Sequence, residues 1–256
     1  MIYSQNCGAG AQKALMLHCS LASSEAWRGV AGHLLDDLSM TGIDLPGHGR
    51  SDDWNGQGDY HAACTSAAAQ ALQIPMHLIG HSLGATVALR LAVERPEMVQ
   101  SLVLIEPVFF AAAKDTAAHQ RHLDEVALFA QAFEQKRYED AARLFTGAWG
   151  TGAPWQTLPD ALRQAFTDRI GLIPATEAAL YQDNAGMFSK GRIEAIDCPV
   201  LLIEGDHSPE IIAAINDALA TRLPQASRVQ INGAGHMAPI SHAGAIAKEI
   251  RGFLNL

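Results

Sequence analysis

Ser82 is the residue of this chain best placed to act as a nucleophile. It lies in Gly80-His81-Ser82-Leu83-Gly84, between two segments of different period. Before it runs Ile74-Pro75-Met76-His77-Leu78-Ile79, apolar and of strand length. After it Leu83, Thr86, Val87, Arg90 and Leu91 recur at helical spacing until Arg95-Pro96 ends the run. A serine on so tight a strand-to-helix corner is held in a strained backbone, and the flanking glycines let strand and helix approach closely. A serine hydroxyl is a poor nucleophile at neutral pH. It needs a base within hydrogen-bond reach, and the base needs an orienting acid. The backbone N–H of Leu83, at the start of the helix, is a ready donor for an oxyanion, and the helix dipole adds to it. The chemistry on offer is acyl transfer.

The elements that must position these groups alternate in type. Strand-like segments fall near 14–18, 38–43, 76–81, 101–106, 199–204 and 227–232, with helical patterns between them. That alternation implies a mainly parallel sheet wrapped by helices. From Pro107 to Ile193 no strand pattern stands out. Leu123, Val126, Ala127, Ala130 and Phe133 form one helical pattern; Tyr138, Ala141, Ala142 and Phe145 a second; Ala161, Leu162, Ala165, Phe166 and Ile170 a third. Pro154, Pro159 and Pro174 divide this segment. It reads as a helical lid, residues 107–193, inserted into a core made of residues 1–106 and 194–256. The same segment holds seven of the eight phenylalanines, which fits an apolar substrate pocket between lid and core. Trp149 and Trp155 end a Gly- and Pro-containing loop there, and both are expected to border the site.

Composition narrows the partners. A formal net charge of −9 lacks the basic face that a phosphate backbone requires, so no nucleic-acid partner is expected. No apolar run is long enough to span a membrane. Met1-Ile2-Tyr3-Ser4-Gln5 has neither the basic nor the apolar part of a signal peptide. Cys7, Cys19, Cys64 and Cys198 are scattered, with neither metal spacing nor disulfide density, which suits a reducing cytoplasm. No metal or cofactor is called for.

Four segments in this order resemble the α/β-hydrolase fold family over nearly the whole chain. They are His18-Cys19-Ser20 after an apolar strand, Asp44-Leu45-Pro46-Gly47-His48-Gly49-Arg50-Ser51, the Gly-x-Ser-x-Gly corner, and Gly233-Ala234-Gly235-His236 after Val229-Gln230-Ile231. The resemblance implies an eight-stranded type of sheet with the lid inserted after the sixth strand. It makes His236 the base and the N–H of Ser20 the second oxyanion donor, with Leu21 next in line. Cys19 stands where the family usually has glycine. The family's usual acid position, three residues after Gly205, is here Ser208, which has no carboxylate. Two candidates remain: Glu106, at the end of Leu104-Ile105-Glu106-Pro107, and Asp206, directly after Gly205, with Glu210 a distant third. Glu106 is favoured, since some branches of the fold take their acid from that strand end, and donation from His236 would pair a carboxylate that is otherwise costly to bury. His18 and His48 are expected to brace loops and His81 to point away from the reacting face. The implied activity is a serine hydrolase of small to medium carboxylic esters, with an apolar small-molecule substrate. A thioesterase or carbon–carbon bond hydrolase would use the same groups. A ligand-binding protein of this fold without catalysis is the rival from another class.

Overall fold

The computed structural model describes residues 1–189 and 191–256. Seven strands form one sheet: β1 (Ser4–Cys7), β2 (Gln12–Leu17), β3 (Leu38–Ile43), β4 (Met76–His81), β5 (Val99–Ile105), β6 (Val200–Gly205) and β7 (Ala226–Ile231). Their order is β1-β3-β2-β4-β5-β6-β7, with β1 antiparallel to β3 and every other pairing parallel. All six expected strands are present within two residues of their expected starts. The expected count of eight is corrected to seven among the described residues. The strand that the apolar pattern passed over, β1, reads Ser-Gln-Asn-Cys and is largely exposed on the sheet edge. An edge strand outside the core needs no apolar signal.

Among the described residues ten helices accompany the sheet: α1 (Arg28–Gly32), α2 (Tyr60–Ala71), α3 (Leu83–Glu94), α4 (Ala117–Glu134), α5 (Tyr138–Trp149), α6 (Asp160–Arg169), α7 (Glu177–Leu180), α8 (Glu210–Arg222), α9 (Ala238–Ser241) and α10 (Ala243–Leu254). The central strands are covered on both faces, so they read as apolar runs rather than alternations. One face packs Leu15, Leu17, Leu78, Leu102 and Leu202 with α3 and α8; the other packs Met16, Ile79, Val103 and Ile203 with α10. Between β5 and β6 the chain is helical, from α4 to α7, and α4 to α6 carry a small core of their own around Ala132, Ala141, Ala142, Trp155 and Ile170. No described helix is long and apolar enough to cross a membrane.

Parallel strands deliver their carboxyl ends to one edge of the sheet. Ser82 follows β4, Glu106 follows β5, Ser208 lies just beyond β6, and His236 lies beyond β7. The ladder continues past the strand ends: Ser82 N–H donates to Ile105 C=O at 2.9 Å, and Glu106 N–H to Ile203 C=O at 2.8 Å.

Candidate active site

Ser82 sits at φ 55°, ψ −115°, outside the helix that begins with Leu83. A non-glycine residue there costs about 1–3 kcal/mol and persists only where its surroundings over-determine it. The glycines supply that setting. A Cβ on Gly80 would run into the Gly84 carbonyl, and one on Gly84 into the Leu17 carbonyl, so no other residue lets β4, α3 and β2 approach this closely.

A hydrogen-bonded chain runs from this corner across three strand ends. Ser82 Oγ lies 3.0 Å from His236 Nε2, and His236 Nδ1 lies 3.1 Å from Glu106 Oε2. The other Glu106 oxygen, Oε1, accepts from Gly205 N–H and from the Ser208 hydroxyl, each at 2.7 Å. Glu106 is fully buried and every oxygen has a partner, which is what an ionised carboxylate in an interior requires. With Nδ1–H donating to Glu106, Nε2 is free to accept the Ser82 proton. Asp206 is elsewhere. It is exposed, and its Oδ1 accepts from Gly233 N–H at 2.6 Å, closing the loop that leads to His236. Glu210 forms a surface ion pair with Arg121.

Histidines brace the other side. Burial holds His18 down to about 4 and His48 down to about 3, so both rings are neutral and each offers one donor and one acceptor. His18 Nε2 accepts from Leu45 N–H at 2.9 Å, which leaves Nδ1–H to donate to Cys19 C=O at 2.7 Å. His48 Nε2 accepts from Leu21 N–H at 2.9 Å, and Tyr60 Oη and Pro46 C=O surround its Nδ1. Asp44 takes Ser24 N–H at 2.7 Å and Arg50 N–H at 2.8 Å. Burial alone would raise its carboxyl; these amides outweigh burial and hold it below the usual range. The segment 44–51 thus binds the loop after β2. In that loop Ala22 N–H closes a turn onto Cys19 C=O with Leu21 at φ 58°. Leu21 N–H is committed to His48, whereas the N–H groups of Ser20 and Leu83 have no hydrogen-bond partner among the described residues.

His81 packs against the base, its ring 5.2 Å from that of His236 between centroids. Its Nε2–H donates to the His236 carbonyl at 2.8 Å, and burial, then the nearby His236, push it down to about 3. Trp149, the last residue of α5, stands edge-on to the His236 ring at 4.7 Å between centroids. Trp155 is placed differently. It packs at 6.5 Å from Phe166 in the core of the helical insertion, so the loop joining the two tryptophans meets the site at one end. Behind Trp149, His122 Nε2 meets Tyr181 Oη at 2.7 Å, and Phe110 stacks on both rings at 4.4 Å. His122 and Tyr181 are 59 residues apart and share no local pattern that could have joined them.

Comparison with known proteins agrees with this architecture. The family model described as alpha/beta hydrolase fold matches residues 15–243. A pimeloyl-[acyl-carrier protein] methyl ester esterase of Methylococcus capsulatus is 30% identical over 241 residues, covering 89% of each chain. One of the same description from Nitrosomonas europaea is 28% identical over 224 residues, covering 87% of each. Among solved structures, a hydrolase from Pseudomonas aeruginosa superposes with a TM-score of 0.76 at 20% identity, over 100% of this chain and 94% of that one, a likeness of fold alone. The chain belongs to the alpha/beta hydrolase fold family.

Proposed function

We propose that this protein hydrolyses small to medium carboxylic esters through an acyl-enzyme on Ser82. The observation that carries the reading is the unbroken chain Ser82 Oγ–His236–Glu106, assembled from the ends of β4, β5 and β7. Ser82 Oγ attacks the ester carbonyl while its proton passes to His236 Nε2. Glu106 holds the resulting imidazolium. The N–H groups of Leu83 and Ser20 receive the oxyanion, and their lack of other partners supports that role. The intermediate collapses, the alkoxide leaves with the proton from His236, and water attacks the acyl-serine by the same route in reverse roles. Every proton moves between side chains, substrate and water.

Residues 107–193 act as a lid over a core of residues 1–106 and 194–256. Trp149 and the Phe110 cluster form an apolar wall beside His236, which favours an apolar acyl group. The two relatives' names bring the methyl ester of a pimeloyl group on acyl-carrier protein into the substrate range. Four unpaired, dispersed cysteines fit the cytoplasm. A fluorophosphonate probe should label the protein at Ser82 and not Ser82→Ala, and that variant should lose at least about 10⁴-fold in kcat on p-nitrophenyl esters of graded chain length. A Ser82→Ala protein keeping over a tenth of the activity would remove the serine from the mechanism. An absence of labelling in the unaltered protein would favour a binding protein of this fold.

A further inference from the structure

Glu106 must cross from the end of β5 to an imidazole carried beyond β7. Its side chain has three rotatable bonds, and nothing in its own strand fixes the carboxyl plane. Its backbone is held: φ is 53°, in the left-handed region, and its N–H is tied to Ile203 C=O at 2.8 Å. The carboxyl group is held from the neighbouring strand instead. Gly205 N–H and Ser208 Oγ–H both end on Oε1 at 2.7 Å, leaving Oε2 as the oxygen that faces His236 at 3.1 Å. Ser208 is itself positioned by a turn, its N–H donating to Gly205 C=O at 3.2 Å.

We propose that Ser208 is a positioning residue for the acid of this site: its hydroxyl, paired with the Gly205 N–H, pins one oxygen of Glu106 so that the other stays aligned on His236. The inference rests on Glu106 being the orienting acid. Its chemistry follows from the donor count. Without the Ser208 hydroxyl, Oε1 keeps one donor, the carboxyl plane turns about the last bond, and the hydrogen bond to His236 Nδ1 lengthens. Loss of alignment there weakens imidazolium stabilisation in the transition state and leaves substrate binding alone. The loops after β5 and β6 also aim at one imidazole, so a carboxylate borne by residue 208 occupies the space of the Glu106 carboxyl once that side chain is cut back.

Four variants test this with p-nitrophenyl butyrate, with circular dichroism and melting temperature as the check on folding. Ser208→Ala should lower kcat about 10- to 100-fold with KM changed less than about threefold, the cost of one hydrogen bond to a charged group. Ser208→Thr keeps the hydroxyl and should recover to within about threefold of the unaltered enzyme. Glu106→Ala should lose about 10³- to 10⁴-fold, and Glu106→Ala/Ser208→Asp should regain at least about tenfold over Glu106→Ala. Folded Ser208→Ala with unaltered kcat, or Ser208→Thr no better than Ser208→Ala, overturns the positioning role. If Ser208→Ala does not fold, a double variant no more active than Glu106→Ala overturns it. A fully active Glu106→Ala would instead remove the reading of Glu106 as the acid, an outcome separate from either.

Discussion

The two sides of Ser82 are braced by opposite means. On the oxyanion side, His18 and His48 hold the loop after β2 with neutral rings that accept from backbone N–H groups. On the acid side, a buried carboxylate gathers donors from Gly205, Ser208 and His236. The difference follows from the task. A loop that must present a bare N–H is fixed by groups that take its neighbours' hydrogen bonds, and a protonated imidazole can no longer accept one. In the proposed mechanism the acid side stabilises a developing imidazolium, and there Glu106 is surrounded by donors.

Acid should break the bracing of the first side together with other buried histidines of the fold, and this is the largest effect expected. Burial holds His18, His61 and His122 at about 4 and His48 and His81 at about 3. On unfolding they return to about 6.5, so the unfolded chain binds more protons below that pH. Their stabilisation is complete above about pH 6.5 and is lost as the pH falls towards 4. Because all five shifts have the same sign, each proton taken up below pH 6.5 favours the unfolded chain, and stability should fall steadily with pH. Thermal melts should show a steep fall between pH 6.5 and 5, and a level melting temperature there would contradict it.

At pH 8 the acid side can be broken alone. In Glu106→Gln the donors from Gly205 and Ser208 select the amide oxygen, which turns the NH2 towards His236. Nδ1 must then accept, Nε2 carries the proton, and the base is lost. A fall of about 10⁴-fold in kcat/KM is expected, against less than about tenfold for Asp206→Asn. The opposite ranking in steady-state assays would transfer the role to Asp206.

The oxyanion side should break more gently. His48→Leu leaves the half-buried Leu21 N–H without its partner, which costs about 1 kcal/mol of stability and, by loosening the Ser20 donor, about 10- to 100-fold in kcat. His48→Gln retains an acceptor and should keep more of both, as denaturant unfolding and kinetics would report. Smallest on kcat is the contrast within the insertion. Trp149→Ala should change KM and chain-length preference several-fold, whereas Trp155→Ala should lower stability by about 3–5 kcal/mol with preference retained. An ester series on both variants checks this, and a shift in preference confined to Trp155→Ala would reverse it.

Local patterns were enough for the Ser82 corner, because two glycines, a strand and a helix must be contiguous for that geometry to exist. The same holds for the central strands β2, β4, β5 and β6, whose two-sided burial demands apolar runs, and for the segment 44–51, whose hydrogen bonds are partly internal. β1 left no mark, since an exposed edge strand is built from backbone pairing and asks little of its side chains. The choice between Glu106 and Asp206 was legible only as a preference for Glu106, and the contact itself was not. Both follow strands at one sheet edge, and which carboxylate meets His236 depends on how far each side chain reaches across neighbouring strand ends. Ser208 showed only as a missing carboxylate, and its hydrogen bond to a residue 102 positions away exists through the β5–β6 pairing alone. Trp149 and Trp155 stand in similar sequence surroundings, yet one lies on the imidazole and the other in a helical core. The residue types thus determined which chemistry was available, because contiguous segments encode backbone shape. The packing of parallel strands decided which partners meet, because contacts between strand ends join residues that no local pattern relates.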